Sequence, residues 1–427
     1  MPEIPSADAD VVVMGGGPAG STAAALLAQT GRSVCLVEQA RFPRFHIGES
    51  LLPAGNAILK TLGIWPDLEK YGFLKKWGAE FTYGDGSSRV KINFKEGLIP
   101  GEPHAYQVER AQFDELLLKK AESHGTALRR NQRVIKVREE ERGWTVTIRG
   151  EDGKESLLRT NWLLDASGRT RILARHLKVS KDGVALPNRV AVFNHFTGIP
   201  RQPGPEGNNI IVVRIEKGWF WIIPIDEERT SVGLVKVIEK GKESAGEAMF
   251  QSEVFRSPYL SKLMAGAQPT QPDFRVEGDY SYINQRMAGR NHLMLGDAAG
   301  FLDPVFSSGV YLAMFSAKAA TDAILGQAGA RGYLTGREQR AYETQIRKRM
   351  SSWLGMIQVF YHERDFSIFM SPTKRFDMFS AVNSVVAGYP AKRFSLRWRY
   401  ALFLLACRVN RFFPLVAPVE LTPSPKQ

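Results

Sequence analysis

A glycine-rich turn near the start of the chain constrains its fold more than any other feature. An apolar β-type run, DVVVM, leads into GGGPAG, and STAAALLAQTG then has the composition of a helix. A second apolar run, SVCLVEQ, completes a β-α-β unit. Because consecutive parallel strands need a crossover connection, the pattern predicts an α/β fold that begins with a Rossmann-like domain.

The glycines of this turn have the spacing of a dinucleotide-binding site. Gly15, Gly17 and Gly20 form G-x-G-x-x-G, with Ala19 inside the motif. The first glycine makes a tight turn, the second lets the backbone approach a pyrophosphate, and the third lets the helix pack closely on the strand. Glu38 ends the second strand, 18 residues after Gly20. A carboxylate near that spacing binds ribose hydroxyls, so the sequence predicts a dinucleotide site.

The middle of the chain has a different character. Residues 185–285 contain the β-forming segments RVAVFNHF, NNIIVVRI, GWFWIIPI and TSVGLVKVI, which predict a largely antiparallel substrate sheet. The chain then returns with HLMLGDAAG, an apolar strand that enters a glycine turn. We therefore expect a discontinuous cofactor domain over residues 1–184 and 286–334. From residue 335 to 427 the pattern is helical.

Two later glycine turns extend the cofactor site. LLDASGR, with Asp165, and LMLGDAAGF, with Gly296 and Asp297, are strand ends that turn on glycines, as expected where a long cofactor meets the chain a second time. With these segments the chain resembles the FAD monooxygenases of the glutathione-reductase-like superfamily. The resemblance implies FAD, with Asp297 on its ribityl chain and Arg110 near its phosphates. A surface arginine at a helix start is the alternative interpretation of Arg110.

Further stretches narrow the resemblance. GWFWIIPI contains W-x-W-x-I-P, FLDPVFSSG contains F-x-x-P-x-x-S-x-G, and FLKKWGAEF places Lys76 two residues before Gly78. RFPRFHIGESLLP resembles a loop that straps the flavin. Together these motifs, spread over residues 10–325, resemble the flavin-dependent halogenases. No glutamate stands between Phe301 and Gly309, so the chain resembles the branch that acts on pyrroles and phenols more than the branch that acts on free tryptophan.

The resemblance implies a reaction and a set of site residues. Reduced FAD, O2 and chloride or bromide give hypohalous acid, which is guided to Lys76 and halogenates an electron-rich phenol or pyrrole, free or tethered to a carrier protein. Lys76 and Ser307 are then the catalytic residues. A halide suits small residues at a helix N-terminus, where backbone N–H groups and the helix dipole favour an anion. The implied contacts are Ser307, Ser308 and Gly309 for the halide, Trp219, Trp221 and Pro224 for the passage of the oxidant, and, beyond the residues above, Arg44, Ile47, Gly48, Glu49, Pro304, Gly309 and Val310 for FAD.

Lys76 has two chemical roles open to it and one competing explanation. As an ammonium it would hydrogen-bond the oxidant and polarise its halogen, which is the version we prefer, and as an amine it would itself be halogenated. Both schemes need lysine, because arginine does not lose its proton at working pH. Without the other motifs, Lys75 and Lys76 would be two solvated surface charges. Trp219 and Trp221 would likewise be ordinary core residues on one face of a strand.

Charge and cysteine content limit the partners. Lys and Arg outnumber Asp and Glu by 57 to 44, a formal charge of +13, which attracts acidic partners such as an acyl or peptidyl carrier protein. The sequence has no zinc-finger spacing, RNP-type motif or dense basic arm, so we expect no nucleic-acid partner.

Cys35 and Cys407 are the only cysteines and predict neither a disulfide nor a metal site. No second glycine motif suits a nicotinamide, so a separate flavin reductase is expected.

The last helical segment admits two interpretations. In AKRFSLRWRYALFLLACRVNRFFPLVAP, arginines surround a short apolar centre. This pattern suits a helix packed on the main domain, which we prefer, or a helix on a membrane surface. No apolar run approaches the roughly 18 residues of a spanning helix, and the first residues lack a secretory signal. We expect a cytoplasmic protein, with peripheral membrane association as the alternative.

Two other functions are consistent with these motifs. The first is an FAD-dependent hydroxylase or prenyl reductase of the same superfamily that acts on a lipid-like substrate. Halide-independent turnover would indicate it. The second is a catalytically silent flavoprotein that serves as a partner subunit, which a bound but non-cycling FAD would indicate.

Overall fold

A computed structural model describes residues 7–238, 245–278 and 281–421 and contains two large sheets with helices packed around them. Numbered in chain order, the strands are β1 (Ala9–Met14), β2 (Val34–Glu38), β3 (Leu74–Lys76), β4 (Gly78–Tyr83), β5 (Arg89–Asn93), β6 (Ala105–Gln107), β7 (Ala127–Arg130), β8 (Arg133–Glu139), β9 (Trp144–Arg149), β10 (Glu155–Asp165), β11 (Lys181–Gly183), β12 (Arg189–Thr197), β13 (Ile210–Ile215), β14 (Gly218–Pro224), β15 (Thr230–Val237), β16 (Gln268–Pro269), β17 (Arg275–Gly278), β18 (Tyr282–Asn284), β19 (His292–Met294) and β20 (Gly300–Phe301). The α-helices are α1 (Pro18–Ala28), α2 (Asn56–Thr61), α3 (Trp65–Tyr71), α4 (Arg110–Ser123), α5 (Ile172–His176), α6 (Glu247–Arg256), α7 (Pro258–Leu263), α8 (Gly309–Asp322), α9 (Gly336–Tyr361), α10 (Glu363–Phe369), α11 (Met378–Val386) and α12 (Phe394–Asn410).

The first large sheet has the order β7-β2-β1-β10-β9-β8, and β19 also pairs with β10. Its centre is parallel, since β1 pairs in parallel with β2 and β10, and β2 with β7. Strand β10 is one continuous element. Its first half pairs with β9 and its second half with β1, so both halves find partners without a turn. This sheet confirms the predicted α/β fold.

The turn between β1 and α1 brings a helix close to a strand end. Residues 11–13 of β1 are fully buried, and every residue of α1 is buried. A Cβ on Gly20 would lie 1.8 Å from the carbonyl oxygen of Gly15. Only glycine therefore lets α1 approach the turn this closely. Pro18 at the start of the helix costs nothing, because the first N–H groups of a helix have no partner within it.

The second large sheet has the order β16-β12-β15-β14-β13-β4-β5, with β17 also paired to β12. Its pairs are antiparallel except for the parallel pair of β13 and β4. Strands β4 and β5 come from residues 78–93, so the assignment of all of residues 1–184 to the cofactor domain is corrected at this hairpin. The pairing of β4 with β13 joins segments more than 100 residues apart, and no local pattern in the sequence reveals such a partner.

Between residues 335 and 421, four α-helices, α9 to α12, form the C-terminal helical region. Helix α12 packs against α10 and α11 with one face, which buries residues such as Leu396, Tyr400 and Phe403. The packed helix that the sequence favoured is thus present. In the described part of the chain, no helix combines the length and apolar character needed to cross a membrane.

Candidate active site

A cavity of about 550 Å³ lies where the first sheet meets the second. One side consists of residues at the carboxyl ends of β1, β2 and β10, which is where open parallel sheets bind ligands. The other side consists of residues from β12, β13 and β14 and the start of α8. The predicted site residues that line it are Gly15, Gly17, Ala19, Glu38, Arg44, Ile47, Gly48, Glu49, Arg110, Trp219, Trp221, Gly296, Asp297, Pro304, Ser307, Gly309 and Val310.

Five predicted site residues lie behind this surface: Gly20, Asp165, Pro224, Ser308 and Lys76. Gly20 packs α1 on the glycine turn, as described above. The carboxylate of Asp165 accepts backbone N–H groups of Ser167 and Leu173, at 2.9 and 2.8 Å, and so shapes the turn that does line the cavity. Pro224 ends β14 opposite Thr230. Gly20, Asp165 and Pro224 therefore support the cavity wall rather than form its surface, and the ligand contacts of Ser308 and Lys76 stay predictions.

The dinucleotide end of the cavity is shaped by backbone. Gly15 has a φ of +106°, and a Cβ there would lie 2.4 Å from the carbonyl oxygen of Ala166, so the turn requires glycine. Gly17 caps the N-terminus of α1, which points its free N–H groups toward the cavity edge. The carboxylate of Glu38 accepts the N–H groups of Gly16 and Ala40, both at 2.6 Å. This open cradle at a helix N-terminus fits a pyrophosphate and a ribose.

Arg110, the first residue of α4, is buried rather than exposed. It is 4% exposed, and its guanidinium donates to both carboxylate oxygens of Asp114, at 2.8 and 2.9 Å. A further N–H donates to the carbonyl oxygen of Ile47 at 2.6 Å. Arg44 forms an ion pair with the same carboxylate at 3.2 Å. The interpretation of Arg110 as a surface helix-cap arginine is therefore wrong.

Residues 41–53, which we call the strap segment, cross the cavity between the two sheets. Phe45 stacks on Phe193 of β12 with ring centroids 6.2 Å apart, and the guanidinium of Arg275 lies 3.3 Å from its ring centre. Glu49 Oε1 lies 2.6 Å from Nε2 of His195. These contacts hold the strap segment to the second sheet. Sequence reasoning missed His195 and Arg275, which belong to no motif and meet the strap only in the folded chain.

The segment that follows β19 brings an acidic group and a helix start to the cavity. Burial raises the pKa of Asp297 to about 6, although Arg110 and Arg169 oppose the rise. Ser307 has a φ of 55°, an uncommon conformation for a residue with a side chain, and its N–H donates to the carbonyl oxygen of Pro304 at 2.9 Å. The amide of Ser307 is therefore already bonded, and the N–H groups without a partner inside the helix are those of the first turn of α8, starting at Gly309.

Trp219 and Trp221 lie on the cavity face of β14. Their ring centroids are 5.9 Å apart, while Phe220 and Ile222 point to the opposite face, toward α6 and α7. The strand thus buries both faces, and the tryptophans share one of them as the alternation predicts. Trp221 donates its indole N–H to Ser231 Oγ at 3.1 Å.

Lys76 is buried, whereas its neighbour Lys75 is not. The side chain of Lys75 is 45% exposed and lies 3.9 Å from Glu69, so the description of a solvated surface charge fits Lys75. Lys76 is 1% exposed, its Nζ donates to the carbonyl oxygen of Leu51 at 3.1 Å, and the ring of Phe94 lies 5.4 Å away. Burial alone lowers the pKa of Lys76 from 10.5 to about 7. A surface-charge explanation of Lys76 is therefore wrong.

The position of Lys76 relates it to the strap segment. Leu51, which accepts its hydrogen bond, directly follows Ser50, and Ser50 lines the cavity. Ser50 Oγ and Glu49 Oε2 are buried and, within the described residues, have no hydrogen-bond partner. Buried polar atoms of this kind mark places where a ligand or ordered water completes the bonding. The strap segment therefore connects the cavity to the surroundings of the lysine.

Comparison with known proteins adds to this geometry. A sequence profile described as tryptophan halogenase matches residues 10–102 and 95–398. The tryptophan 2-halogenase of Chondromyces crocatus is 33% identical over 348 residues, which are 79% of this chain and 64% of that protein. A pyrrole-2-carbonyl peptidyl-carrier-protein chlorinase of Pseudomonas fluorescens is 32% identical over 382 residues, 83% of this chain and 84% of that protein.

The chain belongs to the flavin-dependent halogenase family.

Two solved structures share the fold of this halogenase-family chain over most of its length. The flavin-dependent brominase Bmp2 superposes with a TM-score of 0.81 at 27% identity, over 94% of this chain and 99% of that one. A flavoprotein/dehydrogenase from Cytophaga hutchinsonii superposes with a TM-score of 0.85 at 25% identity, over 94% of this chain and 98% of that one. The same architecture thus occurs in flavoproteins that are described differently, so the fold by itself does not select the reaction.

Proposed function

We propose that this protein is an FAD-dependent halogenase that replaces a ring hydrogen of an electron-rich aromatic substrate with chlorine or bromine. The observation that carries the proposal is the burial of Lys76. Its side chain is 1% exposed, and burial is the only influence that shifts its pKa. Lysine is almost never fully buried without a carboxylate partner. A buried amine that titrates near neutral pH is a feature of functional sites.

The cavity has the features needed to hold FAD. Gly15, Gly17 and Glu38 would bind the dinucleotide, Arg110 would lie near its phosphates, and Asp297 would bind its ribityl chain. The cradle left open by these glycines and the buried unpaired oxygens of the strap segment support this fit. Reduced FAD bound here would supply the electrons with which O2 oxidises a halide to hypohalous acid, and water would be the other product.

The start of α8 supports a halide site beside the flavin. Its first-turn N–H groups, beginning at Gly309, and the positive end of the helix dipole would attract an anion. The hydroxyl of Ser307 would add one donor. No lysine or arginine belongs to residues 301–309, so the halide would be held by dipoles that leave it free to react.

The oxidant must reach the substrate without escaping, because hypohalous acid diffuses freely and damages protein. Trp219 and Trp221 would wall its passage, and Lys76 would receive it. As an ammonium, Lys76 would donate a hydrogen bond to the oxygen of the oxidant while the ring attacks the halogen. The ring C–H proton and the hydroxide of the oxidant then leave together as water.

The pKa of Lys76 provides a way to decide whether its ammonium or its amine form is active. With a pKa of about 7, both ammonium and amine are populated near neutral pH. If the ammonium is the active form, the halogenation step slows as pH rises through about 7. A step that instead quickens over that range would assign the role to the amine.

The substrate class and the partners follow from chemistry and charge. A pyrrole or phenol has the electron-rich ring that this reaction needs, and a relative of this chain is named as a chlorinase of a carrier-bound pyrrole. The formal charge of +13 favours an acidic carrier protein as the tether. We also propose a separate flavin reductase as the source of reduced FAD.

The C-terminal helix offers a surface for peripheral membrane association. The face of α12 opposite its packed side exposes Phe394 and Leu405, followed beyond the helix by Phe412, and carries Arg397 and Arg408 between them. Aromatic and basic side chains on one helix face suit an anionic membrane surface. Sedimentation with vesicles containing phosphatidylglycerol, but not with neutral vesicles, would support this. Failure to sediment would leave α12 as a packed helix only.

A hydroxylase or prenyl reductase on the same fold is the alternative function. It would not need a halide, a halide site or Lys76. The deciding experiment supplies reduced FAD and O2, with chloride, bromide or no halide, together with a panel of phenols and carrier-bound pyrroles. Mass spectrometry should find halogenated products only when halide is present. Hydroxylated or reduced products formed equally well without halide would contradict the proposal.

A further inference from the structure

A chain of hydrogen bonds links the wall of the cavity to the turn before α8. The indole N–H of Trp219 donates to Tyr361 Oη at 2.9 Å, and the hydroxyl of Tyr361 lies 3.0 Å from Asp303 Oδ2. Arg189 Nη1 donates to the same carboxylate oxygen at 2.6 Å. Trp219 and Asp303 are each 1% exposed. Both ends of the chain are therefore buried, and Tyr361 between them is half-buried.

The direction of each bond in this chain is fixed by chemistry. An indole N–H can only donate, so Tyr361 Oη must accept from Trp219. The hydroxyl proton of Tyr361 is then directed to Asp303, which accepts as a carboxylate. If the hydroxyl of Tyr361 is lost, the indole N–H is left buried without its acceptor, which is unfavourable.

Asp303 also shapes the turn that reaches the cavity. Its Oδ1 accepts the N–H of Val305 at 3.0 Å, which fixes the start of the segment that carries Pro304 and Ser307 into the cavity lining. The guanidinium of Arg189 offsets the charge of this carboxylate. That compensation matters because an unpaired buried anion here would repel a halide at the nearby start of α8.

Three distant segments meet in this chain of bonds. Trp219 lies on β14, Asp303 precedes α8, and Tyr361 is the last residue of α9. The carbonyl oxygen of Tyr361 accepts a hydrogen bond from Arg214 of β13 at 3.0 Å, which anchors the helix end to the second sheet. The C-terminal helical region thereby contacts both the wall of the cavity and the turn before α8.

We propose that Tyr361 and Asp303 are positioning residues for halogenation, an inference that rests on the proposed function. They hold the ring of Trp219 and the turn bearing Ser307 in one fixed arrangement. The oxidant formed in the cavity then passes to the substrate, and little of the reducing power of FAD is lost as hydrogen peroxide.

The test is the variant Tyr361→Phe, which keeps the ring and removes only the hydroxyl. FAD affinity should be unchanged, because Tyr361 does not line the cavity. The halogenated product formed per flavin oxidised should fall about tenfold, as expected when a positioning contact is lost. Hydrogen peroxide should rise to match, and tryptophan fluorescence should shift because the indole of Trp219 loses its acceptor.

Two controls separate positioning from general stability. Tyr400→Phe removes another hydrogen-bonded hydroxyl of the C-terminal helices, which donates to the carbonyl oxygen of Ser352 at 3.1 Å. It should lower the melting temperature comparably and leave the product-to-peroxide ratio at the wild-type value. In a Trp219→Phe background, Tyr361→Phe should change that ratio by less than about twofold, because the shared bond is already gone.

The outcomes distinguish this inference from the proposed function. If the wild type halogenates and Tyr361→Phe keeps the wild-type ratio, Tyr361 is structural only and the inference is overturned. The same follows if Tyr361→Phe lowers the ratio equally with and without Trp219. If the wild type halogenates no member of the panel, the proposed function fails first, and the positioning role fails with it.

Discussion

At the proposed cofactor end of the site, the cavity surface comes from backbone and from residues within one β-α-β unit, whereas at the lysine end a single side chain is enclosed by distant segments. Gly15 and Gly17 lie in one turn, and Glu38 accepts a backbone N–H of that turn at 2.6 Å. Lys76 instead contacts Leu51 and Phe94, and β4, which follows it, pairs with β13. A substitution at one end should therefore impair the function of that end and leave the function of the other end intact.

The largest effect is expected at the lysine end. Replacing Lys76 with Met keeps the side-chain length and removes the amine. Halogenation should fall about 1000-fold, within the range for loss of an essential hydrogen-bonding or acid–base group. FAD affinity, measured by flavin fluorescence, and peroxide release should be retained, because the cofactor end is intact.

Lys75→Met is the matched control for that variant. Lys75 is its exposed neighbour, with its side chain 45% accessible, so its loss should change halogenation by less than about twofold. Equal losses in the two variants, or retained halogenation in Lys76→Met, would remove the lysine from the mechanism.

A substitution at the cofactor end should instead weaken FAD binding. A Cβ on Gly17 would lie 3.4 Å from Arg44 Nη2, so Gly17→Val should be accommodated by the fold while its side chain enters the pyrophosphate cradle. The FAD dissociation constant should rise about 30-fold, equivalent to about 2 kcal/mol. Saturating FAD should restore most of the halogenation rate. An unchanged FAD affinity would mean that the cofactor does not bind at this turn.

The proposed halide site lies between the two ends, and the effect expected from altering it is smaller. Ser307→Ala removes the hydroxyl of a residue that lines the cavity and should raise the KM for bromide about fivefold, because one hydrogen bond to an anion is lost. Ser308→Ala is the control, since its side chain lies behind the cavity surface and its backbone N–H is kept. Equal effects of the two variants on the KM for bromide would argue against a halide at this position.

The smallest expected effect is on stability and depends on pH. The pKa of Lys76 is about 7 in the folded protein and 10.5 in its ordinary state. Below pH 7 the lysine is charged in both states, so the folded state bears the full cost of a buried charge. Between pH 7 and 10.5 the unfolded state binds a proton that the folded state lacks, so this group makes the protein more stable as pH rises.

Thermal unfolding of Lys76→Met checks this linkage. The variant should melt several degrees above the wild type at pH 6.5, and the difference should narrow toward pH 9.5. A difference that stays constant with pH would show that Lys76 is not a desolvated amine.

The sequence alone predicts the geometry of the glycine turn and Glu38 well, because that part of the cavity is built locally. The glycine spacing and the carboxylate at Glu38 act within one β-α-β unit, and the structure brings them together as expected. The burial of Arg110 is different, because it depends on Asp114 and on the strap segment, and the sequence left a surface position open. Lys76 was singled out by resemblance rather than by any local physical pattern, since Lys75 beside it has the same side chain and the opposite environment.

The remaining features depend on contacts that have no local signature. The hairpin of β4 and β5 joins a sheet formed mainly by later residues, which corrected the predicted domain division. His195 meets Glu49 only because the strap segment crosses to the second sheet. Tyr361 reaches Trp219 from the end of a helix about 140 residues further along the chain. Such pairings arise from packing between segments, which hydrophobic periodicity does not encode.

The central claim is that the oxidant formed in the cavity reaches Lys76 inside the protein. Single-turnover halogenation with bromide, followed by mass spectrometry in the presence and absence of excess free methionine as an external scavenger, tests it most directly. The account predicts that the yield of brominated aromatic product from the wild type is unaffected by the scavenger. A yield that falls in proportion to added methionine would mean that the oxidant escapes to solvent and would contradict the claim.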